Sequence, residues 1–551
     1  MTRINVPQLA EVDVREIEEL LQRAAQGPLS QADRDLIWKI TMSHLHLGEL
    51  VADRNTTIGQ LRKALFGTTS EKTKDVLGQL GGDPVAPATP AGQDPIPPPP
   101  TDEHAPAKPK PKGHGRNGAK DYEGAECTEV EHETLRPGQV CPRCKKGKVY
   151  RLPDPAVLIR VTGRSPLRAQ VWKLERLRCN LCSEVFKAKA PAGVGAEKYD
   201  ATTASMIGLL RYGSGLPHNR IERLQGNLGI PLPASTQWEI VAKCAQTIEP
   251  AFTELIRQAA QGEVVHNDDT NMEILALRAE IRARPADADD DRTGIFTTGI
   301  VARVENKRIA LFFTGRQHAG ENLADVLKQR HGESPPPIQM CDGLSRNLPK
   351  DLEVILSNCL AHGRRKFVEV FDSFPAQCRH VLEALRDVYH HDATAKAQGL
   401  SPPERLLFHQ THSGPVMTEL KEWLQTQIKE RKVEPNSRLG QAIDYLLKRW
   451  QELTLFLRKP GAPLDNNLCE RALKRAIVHR KNSLFYKTEN GAHVGDLFMS
   501  LIHTAELCGA NPFDYLTQLQ RHADALKRDP SAWMPWNYAA SASSAATDPV
   551  K

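Results

Sequence analysis

Between residues 33 and 66 the apolar positions recur in alternating steps of three and four. Ile37, Ile40, His44, Leu47, Val51, Arg54, Ile58, Leu61 and Leu65 form one stripe, which predicts a long helix: either a strand of a short coiled coil or an ordinary amphipathic helix. From Gly81 to Glu123 the pattern gives way to Pro, Gly, Ala and Lys, the composition of an extended linker. Its second half is cationic through Lys108, Lys110, Lys112, Arg116 and Lys120. Residues 200–260 read as helical throughout. Within them "NRIERLQGNLGIPLPASTQWEIVAKC" has a helix, a glycine-containing turn, and Ser235 or Thr236 placed to cap a second helix. That is the grammar of a helix-turn-helix and equally of a plain helical hairpin.

At residue 263 the period shifts from helix to strand. "EVVHNDDT", "GIFTTGIVARVE" and "KRIALFFTG" predict three strands, "HAGENLADVLKQR" a helix, and "PIQMCDG" and "VILSNCLAH" two more strands, the last leading into a helix. Three strands followed by alternating helices and strands predict an α/β domain with a mixed sheet. Helices rich in Leu, Arg and Glu fill 365–458, a helix follows in "PLDNNLCERALKR", and another spans about 491–508. The end, "AASASSAATDPVK", predicts a frayed tail.

With 551 residues, 40% of them hydrophobic and 25% charged, the chain is long enough for several globular domains. Its net charge of +6 is a mild basic excess, so where the cations cluster matters more than their sum. No run of apolar residues is long enough for a membrane span, and "MTRINVPQLAEVDV" lacks an apolar signal core; the expected location is the cytoplasm. In that reducing compartment the eleven cysteines do not read as a disulfide framework.

Four of them have metal spacing. Cys141-x-x-Cys144 and Cys179-x-x-Cys182 supply the four thiolates of a closed, structural zinc site, a four-cysteine zinc ribbon with a basic segment between its knuckles. A second group consists of acids at strand ends: Asp268 and Asp269 at the end of the first strand, Asp342 after "PIQMC". Each alone reads as a turn former or cap; carboxylates on separate strands of one sheet can sit side by side where cations such as magnesium neutralise them. In the C-terminal helix, Cys469, Ala472, Leu473, Ala476 and Ile477 mark the buried stripe, Asn467, Glu470, Arg471 and Lys474 the polar one, with Asp465 as the expected N-cap. Glu470 and Lys474 could be a surface pair. However, the stretch from 471 to 488 holds Lys and Arg and no acid, and a lone carboxylate in a cationic strip fits a metal ligand bordered by phosphate contacts.

Taken together, "LRKALFGTTSEK", the paired cysteines, "HNDDT", "CDG", "NCLAHGRRKF", "DNNLCERALKRAIVHRKNSLF" and "HTAELCGANPFDYL" resemble the DDE transposases of the insertion-sequence-66 (IS66) family, in the family's order along nearly the whole chain. The resemblance implies a multidomain α+β protein whose catalytic domain is ribonuclease H-like. Its parts would be an N-terminal helical segment (1–80), the linker (81–123), the zinc-binding domain (124–192) and a helix-turn-helix-like DNA-binding region (193–260). The catalytic core would span 261–370, a helical insertion 371–458, the last catalytic helix 459–510, and a helix and tail 511–551. It implies Asp268, Asp342 and Glu470 as catalytic ligands of Mg2+ or Mn2+, Zn2+ as a structural ion, and Cys359 and His362 as a brace for the active site. Arg364, Arg365, Lys366, Arg471, Lys474, Arg475, Arg480 and Lys481 would grip DNA phosphates. Expected partners are DNA, a second copy of the chain and accessory proteins of the same element. The chain departs from the pattern at Asn271, where the family has proline, and at Leu344, where it has an aromatic. Two other readings stay open: a catalytically inert DNA-binding regulator, and a tyrosine recombinase using His362-x-x-Arg365 with Tyr486 or Tyr515 as nucleophile.

Overall fold

The structure, a computed structural model, describes residues 30–38, 132–152, 165–178, 180, 182, 185–192, 194, 197–284, 292–350 and 352–547, together with Leu20 and Ala24. The predicted coiled coil and the linker therefore lie almost wholly outside the described residues; 31–38 are helical. The chain divides into two compact units, one of residues 84–166 and one of 1–83 with 167–551. The boundary falls within the segment expected to carry the zinc ribbon.

In the smaller unit, residues 140–148 form a tight knuckle. Cys141 N–H donates to Gly147 O (2.7 Å), Lys145 N–H to Cys141 O (2.8 Å), and Lys145 takes a positive φ of 55°. The larger unit opens with a short exposed hairpin, β1 (Arg176–Arg178) antiparallel to β2 (Val185–Lys187). Helices α1 (Ala201–Gly208), α2 (His218–Asn227) and α3 (Ala234–Ala259) follow. Ser235 and Thr236 do not cap α3: the N-cap is Pro233, whose fixed φ suits the helix entry, and the Ala234 N–H is taken by Glu222 Oε2 at 3.3 Å. Val241, Ile248, Phe252 and Leu255 of α3 are buried in one core with the sheet residues Ile300, Leu311 and Phe312, so the second helix of the expected helix-turn-helix packs into the core of the sheet.

The sheet has five strands in the order β5-β4-β3-β6-β7: β3 (Val264–Asn271), β4 (Phe296–Val304), β5 (Lys307–Gly315), β6 (Ile338–Cys341) and β7 (Ile355–Asn358). The first three meander antiparallel; β6 and β7 join parallel. This is the mixed sheet the pattern predicted, with two corrections. Asp268 and Asp269 do not end the first strand, which continues to Asn271 because its pairing with β4 runs on to Phe296. A helix that the pattern does not announce, α4 (Leu275–Ala283), links β3 to β4. Helix α5 (Ala319–Leu327) packs on β3 and β4, and α6 (Leu360–Glu369) follows β7.

The insertion is helical as expected. Helices α7 (Pro375–Ala397), α8 (Pro402–Lys429) and α9 (Arg438–Lys448) close their own core of Leu382, Leu385, Leu420, Leu424, Ile443 and Leu446 around Phe367 of α6. The chain then returns as α10 (Asn467–Ser483) and α11 (Glu489–Leu507). Asp465 is not the N-cap of α10; Asn466 is, and the Asp465 carboxylate instead accepts from the N–H (3.1 Å) and side-chain amide (2.8 Å) of Asn467.

Helix α11 covers the outer edge of β5 in an unusual way. Alternate strand N–H groups, from Ala310, Phe312 and Thr314, donate to Thr504 Oγ1 (3.0 Å), Ser500 Oγ (2.9 Å) and Asp496 Oδ2 (2.6 Å). Four helical residues rise about 6 Å and two strand residues about 6.7 Å, so side chains one helical turn apart meet every second strand residue. No helix among the described residues is long and apolar enough to cross a membrane.

Candidate active site

Successive residues of a strand face opposite sides of the sheet, and at β3 this separates two adjacent acids. The Asp269 side chain is 2% exposed and fully engaged: Oδ2 lies 3.1 Å from His318 Nδ1, at the N-cap of α5, and Oδ1 lies 3.2 Å from Arg346. Asp268 has no cation beside it among the described residues; its Oδ1 accepts the Asp269 N–H at 2.8 Å. In the β3–β6 register Val264 faces Ile338 and His266 faces Met340. The same offset brings Asp268 level with Asp342, just past the end of β6.

Asp342 is fixed by a turn. Gly343 has φ +81°, and a Cβ there would lie 2.7 Å from Asn358 Oδ1, so only glycine fits. The Asp342 Oδ1 accepts from Leu344 N–H (3.0 Å) and Asn347 Nδ2 (2.7 Å). Glu470 comes from the first turn of α10, which crosses β3 and β4. It can approach because Gly299, paired with Asp268, has no side chain: a Cβ would stand 2.9 Å from Leu473. Cys469 Sγ donates to Gly299 O at 3.2 Å.

Asn466 anchors this helix start. Fully buried, it donates its N–H to Cys359 Sγ (3.2 Å) and Nδ2–H to Asn267 O (3.1 Å), leaving Oδ1 to accept from His266 Nδ1 (3.1 Å). Burial pulls His266 down to about 4, so the ring is neutral with its proton on Nδ1. Burial pushes the Cys359 thiol up to about 12; it stays protonated and serves as an acceptor. His362 Nδ1 stands 3.8 Å from Glu470 Oε1, and both atoms are buried without a hydrogen-bond partner among the described residues.

The electrostatics follow from this convergence. Burial, then the charges of Asp342, Asp269 and Glu470, push the Asp268 carboxyl up to about 7 despite the Asp269 N–H. Of the three carboxylates, Glu470 keeps a buried oxygen, Oε1, without a hydrogen-bond partner among the described residues, and carboxylate oxygens are the donors that hard divalent cations take. Among the described residues, the group whose donor atoms all lie within 4.8 Å of one another is Cys359, His362 and Glu470, not the three acids.

The cations are less uniform than the sequence implied. Arg471, Lys474 and Lys481 are exposed. Arg475 is bound to Glu506, and Arg480 donates to Asn271 O and to Thr270 Oγ1 (3.2 Å). Lys366 lies over the Tyr445 ring at 4.6 Å; Arg364 and Arg365 are half-buried and partnered. Tyr486 and Tyr515, the nucleophiles of the recombinase reading, are 4% and 0% exposed and raised well above the usual phenol range by burial, so neither is presented to DNA. In the smaller unit, Gly147 N–H donates to Cys144 Sγ at 3.4 Å and lowers that thiol, as a knuckle ligand requires. Cys182 is exposed, and Cys179 lies outside the described residues.

Sequence reasoning missed Asn466, His266, Asn347 and the His318–Arg346 clamp on Asp269. The signal available for the first was the doubled asparagine ahead of a helix; the others are neighbours only in space.

Comparison with known proteins places the chain in a family. The family described as "Transposase IS66 family" matches residues 198–494, more than half of the chain. The chain is 26% identical over 424 residues to uncharacterized protein y4jD of Sinorhizobium fredii, spanning 72% of this chain and 78% of that one. It is 26% identical over 440 residues to uncharacterized protein y4hP of the same organism, covering 74% and 75%.

Proposed function

This chain belongs to the IS66 transposase family, and from that premise we propose that it is a DDE transposase, cutting DNA at the ends of its own element and joining them to a target. The single observation that supports the reading is electrostatic: Asp342 and Glu470, from segments distant in the chain, lie near enough to Asp268 that burial and their charges push its carboxyl up to about 7. The strand order, with an acid on the central strand and a second acid after its parallel neighbour, supports a ribonuclease H-like core.

The three carboxylates would hold magnesium or manganese. When bound, such ions supply charge stabilisation at the attacking and leaving oxygens of an in-line phosphoryl transfer. Asp268 carries or releases its proton near neutral pH, so it gives that proton up to accommodate a cation. Asp342 is pre-aimed by Asn347 and Leu344 N–H. Glu470 would be positioned by Asn466 at its helix start, with His362 Nδ1 3.8 Å from its Oε1. The exposed cations Arg471, Lys474 and Lys481 lie on the same helix and suit phosphate contacts. Cys141, Cys144, Cys179 and Cys182 would hold a structural zinc. A homo-oligomer and accessory proteins of the element fit a reaction that must bring two DNA ends together.

The test is a cleavage assay on duplexes spanning the boundaries of the DNA that encodes the chain, with magnesium and with EDTA. Magnesium-dependent nicking, followed by strand-transfer products, is expected from the wild type and from none of D268N, D342N and E470Q. DNA binding without nicking would instead favour an inert regulator.

A further inference from the structure

Helix α10 ends in a conformation that its sequence does not favour. Leu484 takes φ +69° and ψ −44°, and the Phe485 N–H donates back to Ser483 O at 2.9 Å. This is a γ-turn of the positive-φ kind, rare and strained for any residue with a Cβ. Glycine would adopt it freely, yet the turn carries leucine.

The surroundings over-determine the turn. Ser483 Oγ accepts from Arg211. The next residue, Tyr486, is buried, pairs with Ile274 as an isolated bridge and donates its N–H to Glu273 O at 2.9 Å. Its ring stacks on His479 at 4.6 Å between centroids. Arg480 ties the last turn of the helix to Thr270 and Asn271 at the end of β3. What these anchors hold out to solvent is apolar: Leu484 is 65% and Phe485 40% exposed. Leu275, 42% exposed, joins them through its N–H bond to Tyr486 O. Arg480, Lys481 and Lys487 flank the pair in sequence.

Two adjacent bulky apolar side chains held rigidly outward cost solvation, and the cationic flank disfavours an apolar protein surface as their partner. A polyanion with stackable faces satisfies both halves: apolar side chains insert between base steps while cations meet the phosphates. We infer that Leu484 and Phe485 are a wedge that enters the base stack of bound DNA and unstacks it. Arg480 bonds to Thr270 and Asn271, and Asn271 is three strand residues, about 10 Å, from Asp268. The opening therefore falls within a few base steps of the phosphate at the acids. The inference rests on the transposase reading for its ligand and adds to it a specific distortion.

The experiment uses the full chain in buffer free of magnesium and manganese but without chelator, where no cleavage occurs and the proposed zinc is kept, and boundary duplexes carrying 2-aminopurine at successive positions. Wild type is expected to raise fluorescence several-fold at one or two adjacent positions. L484A/F485A should still shift the duplex but lose that rise, and should lose roughly tenfold of any preference for a gapped over an intact duplex. L484G separates function from folding: freed of strain, it should melt at or above the wild-type temperature while losing the fluorescence rise. Binding by wild type with no rise at any position, an unchanged rise in L484A/F485A, or a lower melting temperature in L484G would each overturn the wedge. So would conversion of an oligomer to monomers by L484A/F485A, because the occupant would then be a second copy. Unstacking by a wild type that never nicks in magnesium leaves the wedge standing and removes the transposase reading.

Discussion

Asp268, in the sheet, and Asp392, in the helical insertion, are both withdrawn from water, and their surroundings drive them in opposite directions. Burial works against the charge of each. Around Asp392 it is outweighed: His409 Nε2 lies at 3.3 Å, Arg405 at 2.6 Å and Lys396 at 2.6 Å, and the carboxyl falls well below its ordinary range. Around Asp268 burial is reinforced by other acids. The first arrangement is a finished structural site. The second is a carboxyl whose charge its surroundings oppose, the kind of perturbation that collects at functional sites.

The largest expected effect is at Asp268. D268N should lower magnesium-dependent cleavage by roughly a thousandfold or more, as loss of a metal ligand removes several kcal/mol of charge stabilisation. The same change should stabilise the metal-free fold. The native carboxyl titrates near 7 and the unfolded one near about 3.9, so the native state binds the extra proton between them and wild-type stability falls as pH rises through that window. Metal-free melting curves should show D268N above wild type at pH beyond this window and level with it below.

D392N should do the reverse. It leaves Arg405 facing no charge and should cost about 3 kcal/mol by urea denaturation, with cleavage per folded molecule unchanged. Because the folded carboxyl lies below its unfolded value, this stabilisation is present above about pH 3.9 and fades only as pH falls further. N466A should lower cleavage about 10- to 100-fold, as outer partners of metal ligands do, and raise the magnesium needed for half-maximal rate; an unchanged magnesium requirement would remove Asn466 as the anchor of Glu470. S500A, remote from both acids, should cost about 1–2 kcal/mol of stability by stranding the Phe312 N–H and leave the pH profile as it was.

The strands were legible because each is a short apolar run bounded by turn residues, and Asp342 was legible as the acid that follows one. Glu470 was singled out by the company it keeps in sequence. What separates Asp268 from Asp269 was not legible in the residues themselves, only in the resemblance: the two are adjacent, and the pleat and the distant His318 and Arg346 clamp Asp269 and leave Asp268 unclamped. The cap of α10 lies one residue beyond its expected place because Asp465 and Asn466 have equal local claims; the contacts of Asn466 with Cys359 and Asn267 decide it. The strained turn at Leu484 is likewise invisible in a sequence that offers no glycine there.

The row of Asp496, Ser500 and Thr504 along β5 has a consequence for assembly. A strand at the margin of a sheet is ordinarily open to recruitment by a neighbouring molecule, but these hydroxyls and this carboxylate already occupy the alternate amides such recruitment needs. A neighbouring molecule therefore cannot extend the sheet by pairing with those amides of β5.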